Sequence, residues 1–285
     1  MKTLGLLFVL NVLSINSIMA QEVTNIFTHK IGTYEVTLLS EGQQNGKPNI
    51  LIGATSEMLN KYIPNGTFPN ATNTFLIKGN GKIILIDTGY GRNLFDNMKS
   101  LNVNAEQVDA VLITHMHGDH IGGLLRDGKI AFPNAELLMT KTEYDYWLNA
   151  SNQNIHNIFS IYKNKIRLFT PAEINKPATS VLTDVYGIAA YGHTPGHTAF
   201  LLESNNEKLL IWGDLTHAMA IQMPHPEIAV TYDTNPKVAI KSRQDIFEYV
   251  TVNKIPIAGM HIAYPAIGNV TKNDSGEGFL FVPFK

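Results

Sequence analysis

The sequence predicts a mixed α/β or α+β protein with layered sheets. Short apolar runs bounded by turn residues recur along the chain, and stretches of helical spacing lie between them. The residues able to do chemistry fall just after the apolar runs, where loops sit at strand ends. With 285 residues, 44% hydrophobic and 16% charged, the chain can bury a substantial core without covalent staples. The formal net charge is -2 and no basic block appears, so nothing suggests a nucleic-acid footprint. There is no cysteine, which removes disulfides, thiolate zinc sites, iron–sulfur clusters and cysteine nucleophiles together.

From the N-terminus, Lys2 precedes a mostly apolar stretch from Leu4 to Leu13, and Ser14 to Ala20 turns small and polar. Residues 1–20 therefore read as a secretory signal peptide, with 21–285 as the folded domain and a periplasmic or secreted destination. An uncleaved anchor is the alternative. However, Asn11 breaks the run, which is short for a membrane span, so no stable membrane insertion is expected after cleavage. Ile18 is not the usual small residue for its place before the cut.

Thr33 to Ser40 alternates as a strand. Asn73 to Lys78 and Lys82 to Asp87 flank Gly79-Asn80-Gly81, a hairpin signal. The second run ends in the turn Asp87-Thr88-Gly89, Arg92 to Ser100 has helical spacing, and Ala110 to Ile113 reads as a strand buried on both faces. The stretch Ile50 to Ile63 reads as an edge element or helix, with a flap over an acyl chain (Met58, Leu59, Tyr62) as the alternative. Further on, Glu136 to Thr140 is a predicted strand and Lys141 to Asn149 a predicted helix. Gly187 to Tyr191, Thr198 to Glu203 and Lys208 to Trp212 are predicted strands. Pro236 to Val252 is a predicted helix with Asn235 as N-cap and Pro236 in its first turn, and Ile255 to Met260 a last core strand.

The densest chemistry is Thr114-His115-Met116-His117-Gly118-Asp119-His120, directly after an apolar run. Histidines two apart in an extended segment point the same way. A turn at Gly118 then swings Asp119 and His120 toward a second, adjacent position, which suits two metals rather than one. Imidazole and carboxylate without thiolate favour zinc, with iron, manganese or cobalt also able to bind. Partners follow downstream at strand ends: His193 in Gly192-His193-Thr194-Pro195-Gly196-His197-Thr198, Asp214 in Trp212-Gly213-Asp214, and His261 after Met260. Each alone reads as a turn or capping residue; beside the cluster they read as ligands.

These strings resemble the metallo-β-lactamase superfamily, whose HxHxDH signature His115 to His120 matches, with Asp87-Thr88-Gly89, His193, Asp214 and His261 following in order. The resemblance implies a four-layer αβ/βα sandwich with two divalent ions at one edge of the paired sheets. It implies His115, His117 and His193 on the first ion, Asp119, His120 and His261 on the second, and Asp214 bridging. His197 would be a structural hydrogen-bonding residue, and Asp87 would orient a ligand histidine or simply cap its turn. Two carboxylates against two divalent ions leave a net positive site, which favours a bridging hydroxide.

Asp214 stands where the main zinc β-lactamase subclasses carry Cys or Ser. Trp212-Gly213-Asp214-Leu215-Thr216-His217, Tyr232-Asp233, Pro236, Arg243 and Met260 to Pro265 resemble the N-acyl-homoserine lactonase and methyl parathion hydrolase-like branch. That branch implies a hydrolase of small-molecule lactones or esters, quorum-quenching N-acyl-homoserine lactones among them. A phosphotriester or aryl ester hydrolase is one alternative, a mono-iron persulfide dioxygenase-like oxidoreductase another, and a non-catalytic zinc-binding exported protein a third. A homodimer is compatible with it. His217 occupies the place where such lactonases commonly carry a tyrosine, and it is either a proton donor to the reacting oxygens or a bystander behind the ligands. Asp119 and His217 are the candidates for managing the proton. His225 and Tyr264 read as surface or packing residues, with a place in the pocket wall as the alternative.

Overall fold

The computed structural model describes residues 26–274 and 276–285. The leader expected over 1–20 lies outside the described residues.

Two seven-stranded sheets are each hydrogen-bonded in chain order. In the first, β1 (Ile26–Ile31), β2 (Tyr34–Gly46), β3 (Phe68–Gly79) and β4 (Lys82–Ile86) form an antiparallel meander. β5 (Ala110–Leu112), β6 (Glu136–Thr140) and β7 (Ile166–Phe169) extend it in parallel. In the second, β8 (Thr179–Leu182), β9 (Val185–Ala189), β10 (Thr198–Ser204) and β11 (Glu207–Ile211) are antiparallel. β12 (Ile257–Ala258) joins β11 in parallel, and β13 (Ile267–Lys272) and β14 (Phe279–Pro283) close the sheet antiparallel.

The predicted hairpin is present, with Gly79 opposite Lys82 across Asn80 and Gly81, both at positive φ (50° and 73°). That is the turn that matches strand twist, which is why Asn-Gly serves there.

Side-chain alternation makes the layers. Phe75, Ile77, Ile84, Ile86, Leu112 and Leu138 share one core with the second sheet. Their neighbours Leu76, Leu85, Val111 and Leu137 point the other way. There they pack on α2 (Leu94–Ser100) and α5 (Gln153–Tyr162) through Leu94, Met98, Ile158 and Tyr162. The short α6 (Met219–Gln222) precedes α7 (Pro236–Val252), which covers the second sheet with Ile246, Phe247 and Val250, and Phe247 stacks on Trp212 at 5.4 Å. The result is the αβ/βα sandwich.

The stretch over Ile50 to Ile63 is an edge element and a helix. Leu51–Ile52 pairs with Ala229–Val230, and α1 (Ser56–Tyr62) begins where Thr55 Oγ1 accepts from Met58 N at 3.2 Å. Met58, Leu59 and Tyr62 pack on a small third core built from Ile63, Phe68, Ala218, Ile221 and Ile228. The last predicted core strand is shorter than expected. Ile255 N bonds Val250 O at the end of α7, and Met260 N reaches Gly213 O, so only Ile257 and Ala258 pair in the sheet.

β4 and β5 run in the same direction, as do β11 and β12. Asp87, His115 to His120, Asp214 and His261 all follow the carboxyl ends of these strands. Loops from both sheets therefore meet at one edge of the sandwich.

Candidate metal centre

Thr114 leaves β5 pinned at two points: its N donates to Asp87 Oδ1 (2.7 Å) and its Oγ1 to Asp87 Oδ2 (2.6 Å). His115 and His117 follow, His117 in extended backbone, and α3 (Gly118–Ile121) starts directly after. The turn turns Asp119 and His120 to the neighbouring position. Across the edge, Gly213 sits at φ 61° with His197 Nε2 only 2.4 Å from where a Cβ would be. A side chain there would collide, so glycine is required for Asp214 to enter.

The seven predicted residues come together in two groups. His115, His117, His193 and Asp214 offer ligand atoms within 4.8 Å of one another, and so do Asp119, His120 and His261. His117 Nδ1 lies 2.9 Å from His115 Nε2 and 3.0 Å from His193 Nε2. Asp214 stands between the groups: Oδ1 is 3.1 Å from His120 Nε2, and Oδ2 is 2.9 Å from His261 Nε2 and 3.3 Å from His193 Nε2.

The outward nitrogens show what faces inward. His120 Nδ1 donates to Asp87 Oδ2 (2.7 Å), His193 Nδ1 to Asp233 Oδ1 (3.0 Å) and His261 Nδ1 to Ala71 O (2.8 Å). Thr114 Oγ1 spends its proton on Asp87, so it accepts from His115 Nδ1 at 3.1 Å. These four rings thus turn Nε2 inward with an outer partner fixing the tautomer, the arrangement of metal-ligating histidine, while His117 faces inward with Nδ1. His120 Nε2 and Asp214 Oδ1 are buried with no hydrogen-bond partner. Buried polar atoms of this kind are rare without a ligand.

Electrostatics point the same way. Burial would raise the Asp214 pKa, but His120, His261 and His115 hold it well below the ordinary carboxylate range. Burial opposes charge on His193, yet Asp214 and Asp233 lift it to about 9; Asp214, Asp119 and Asp87 lift His120 well above its ordinary value. The carboxylates draw extra protons onto His120, His193 and His261, a pull that a divalent cation also answers, while burial keeps His115 and His117 neutral, His117 down at about 4, as ligands must be. The residues present therefore fit a divalent-metal centre.

Three other predicted residues fall into place. His197 donates Nδ1–H to Ala190 O (2.7 Å) and accepts from Asp214 N at Nε2 (2.9 Å), so both its nitrogens are occupied in holding loops. Asp87 holds Thr114 and His120 rather than capping a bare turn. His217 is buried, with Nε2 3.1 Å from Asp214 Oδ2 and its ring stacked on His261 at 4.7 Å. It also forms a group with Asp214 and His261. His225 and Tyr264 are packing residues: His225 pairs with Glu227 and meets Tyr62, and Tyr264 meets Phe27 edge-on. A cavity of about 530 Å³ opens over the site, walled by Ile50, Phe68, Asn70, Tyr90, His217 and Tyr232.

Sequence reasoning did not single out Glu143, and did not assign Asp233 or Arg243 a task. Arg243 is buried and donates to Leu215 O, Pro226 O and Ile228 O, fixing the segment that carries His217. The Ala71 carbonyl under His261 could not be found from sequence at all, because any residue type supplies one.

The sequence pattern of the metallo-beta-lactamase superfamily matches residues 67–253, and the chain belongs to that superfamily. It is 29% identical over 208 residues to an atrochrysone carboxyl ACP thioesterase of Aspergillus fumigatus, covering 71% of this chain and 52% of that protein. It is 31% identical over 157 residues to the N-acyl homoserine lactonase AttM of Agrobacterium fabrum, covering 49% of this chain and 54% of that one. The chain thus spans about half the length of the curated relatives it matches. Among solved structures it is similar to AidC, a dizinc quorum-quenching lactonase in complex with a product, at 25% identity and TM-score 0.81. That match covers 92% of this chain and 98% of AidC.

Proposed function

We propose that this chain is an exported hydrolase that opens lactones or related esters, N-acyl-homoserine lactones among them, at a pair of zinc ions. The observation that carries the reading is the pair of ligand groups meeting at Asp214, with the outer nitrogens of His115, His120, His193 and His261 already committed. The likeness to AidC and AttM supports the substrate class.

In this reading His115, His117 and His193 hold one ion, Asp119, His120 and His261 the other, and Asp214 lies between them. Two such ions would supply a hydroxide from water near neutral pH and a Lewis acid for the substrate oxygen. The chain's own residues do the rest. Asp87, Asp233 and the Ala71 carbonyl orient the ligand rings. Ile50, Phe68 and Tyr232 offer apolar wall to an acyl tail. His217, held neutral by burial with its pKa down at about 4, sits in the cavity wall with Nε2 3.1 Å from Asp214 Oδ2, where it would offer a hydrogen bond rather than a free proton. As hydroxide would add to the carbonyl carbon and the ring C–O bond break, the proton of the added hydroxyl passes by way of the Asp119 carboxylate to the departing alkoxide, leaving a carboxylate and an alcohol.

The thioesterase likeness favours a second reading, hydrolysis of an acyl thioester on the same site. The test is one preparation assayed for metal content and against acyl lactones, an acyl thioester, an aryl ester and a chromogenic phosphotriester. Lactone opening is expected to have the highest kcat/KM. A zinc-loaded protein that cleaves only the thioester or the phosphotriester would overturn the lactone assignment. A single iron per chain with no hydrolysis would replace it with the oxidoreductase reading. Export is tested separately, by the mass of the mature N-terminus, expected to begin at Gln21.

A further inference from the structure

Glu143 lies on α4 (Lys141–Leu148), away from the cavity, and is almost fully buried at 1% exposure. A buried carboxylate without partners is costly, so its contacts describe its task. It accepts four hydrogen bonds. Oε1 takes Met116 N at 2.9 Å and Trp147 Nε1 at 2.6 Å. Oε2 takes Thr194 Oγ1 at 2.7 Å and Gly196 N at 3.0 Å.

Those donors sit at telling places. Met116 is the residue between His115 and His117. Thr194 directly follows His193. Trp147 meets the His117 ring edge-on at 5.9 Å. The carboxylate therefore touches the backbone or packing of every imidazole in the first ligand group. Glu143 contacts neither Asp119, His120 nor His261; the rings of that group are held by Asp87 and Ala71 instead.

We infer that Glu143 is a positioning residue that sets the His115–His117–His193 triad, and that it governs the first metal site selectively. This rests on the two-metal reading above. One carboxylate spanning both loops fixes the distance between them. Replacement by glutamine keeps the length but presents an NH2 group to one pair of donors, so one of the two loops is released. Alanine releases both.

The test is zinc binding, read by elemental analysis and equilibrium titration of the full chain, with anomalous scattering from crystals to show which position is filled. Wild type is expected to hold two zinc ions. Glu143→Gln is expected to weaken the first site about 10- to 100-fold while the second keeps its affinity. Asp87→Asn, which touches His120 directly and His115 through Thr114, is expected to weaken both sites, so Glu143→Gln carries the test of selectivity. Circular dichroism and the thermal midpoint of the zinc-free proteins separate positioning from folding. If Glu143→Ala does not fold, Glu143→Gln and Glu143→Asp decide the matter. Equal weakening of both sites, or no weakening at a folded Glu143→Gln, overturns the inference. A wild type that binds no zinc overturns the two-metal reading itself, and this inference with it.

Discussion

His217 sits where binding and turnover can be told apart. Its Nε2 is 3.1 Å from Asp214 Oδ2 and it forms part of the cavity wall, but the seven other ligand candidates already divide into two complete groups. His217→Ala is expected to keep both metals and lower kcat by about 10²-fold, the ordinary size of a lost hydrogen bond to the reacting oxygens. Metal analysis alongside steady-state kinetics checks this; a variant short of metal would make His217 a ligand. His117→Ala and Asp214→Ala should behave oppositely, losing metal and most hydrolysis together, because His117 Nδ1 and both Asp214 oxygens sit among the converging nitrogens. Full activity in either would sink the assignment. The ligand types were legible in the sequence because three histidines and an aspartate crowd into His115 to His120, and His193, Asp214 and His261, which alone read as turn or capping residues, gain meaning beside that cluster. His193 could be separated from His197 only through the resemblance, and the structure gives the physical reason: His197 uses both nitrogens on backbone groups. Glu143 was not legible. It joins segments 51 and 53 residues away in sequence, and nothing local marks a glutamate on a helix as a clamp.

Among the elements, α7 couples stability to the site. Asn235 Oδ1 caps it by accepting from Val238 N at 3.3 Å, and Asn235 N bonds Gly192 O at 2.8 Å, one residue before His193. Asn235→Ala is expected to cost about 1 kcal/mol in urea unfolding. Gly192 is the tighter constraint. Its φ is 116° and an added Cβ would meet Ala239 N at 2.1 Å, so Gly192→Ala pushes the first turn of α7 off the His193 loop. We expect it to cost roughly 1–3 kcal/mol and to reduce zinc at the first site. Unchanged stability and metal content would show that the loop does not depend on the helix. α7 itself was legible at both ends because Asn-Pro opens it and its apolar positions keep helical spacing. α5, which begins Gln153-Asn154 and carries His156 and Asn157, was not seen, because amide and imidazole side chains mask the stripe of Ile155, Ile158, Phe159 and Tyr162. β13 escaped because Gly268, Asn269, Thr271 and Lys272 interrupt its apolar residues Ile267 and Val270, and β14, the edge strand, is a short apolar run that exposes Leu280 and Val282.

At the scale of the whole molecule, the ligands are drawn from both sheets. His115 to His120 belong to loops of the first, and His193, Asp214 and His261 to loops of the second. Metal bound at that edge would tie the halves together in the folded state only, since the unfolded chain scatters the same side chains from His115 to His261. A ligand bound only by the native state stabilises it by RT ln(1 + [L]/Kd), about 4 kcal/mol at a thousandfold excess over Kd. For a chain somewhat larger than 250 residues this raises the thermal midpoint by about 8 °C, each kcal/mol being worth roughly 2 °C at this size. Calorimetry of chelator-treated protein, followed by zinc titration, is expected to show the rise. His117→Ala, which removes the nitrogen nearest two others, should lose most of it. A midpoint that ignores zinc in the wild type would mean that the two sheets are held by their shared apolar core alone, and that the converging rings do not bind metal with useful affinity.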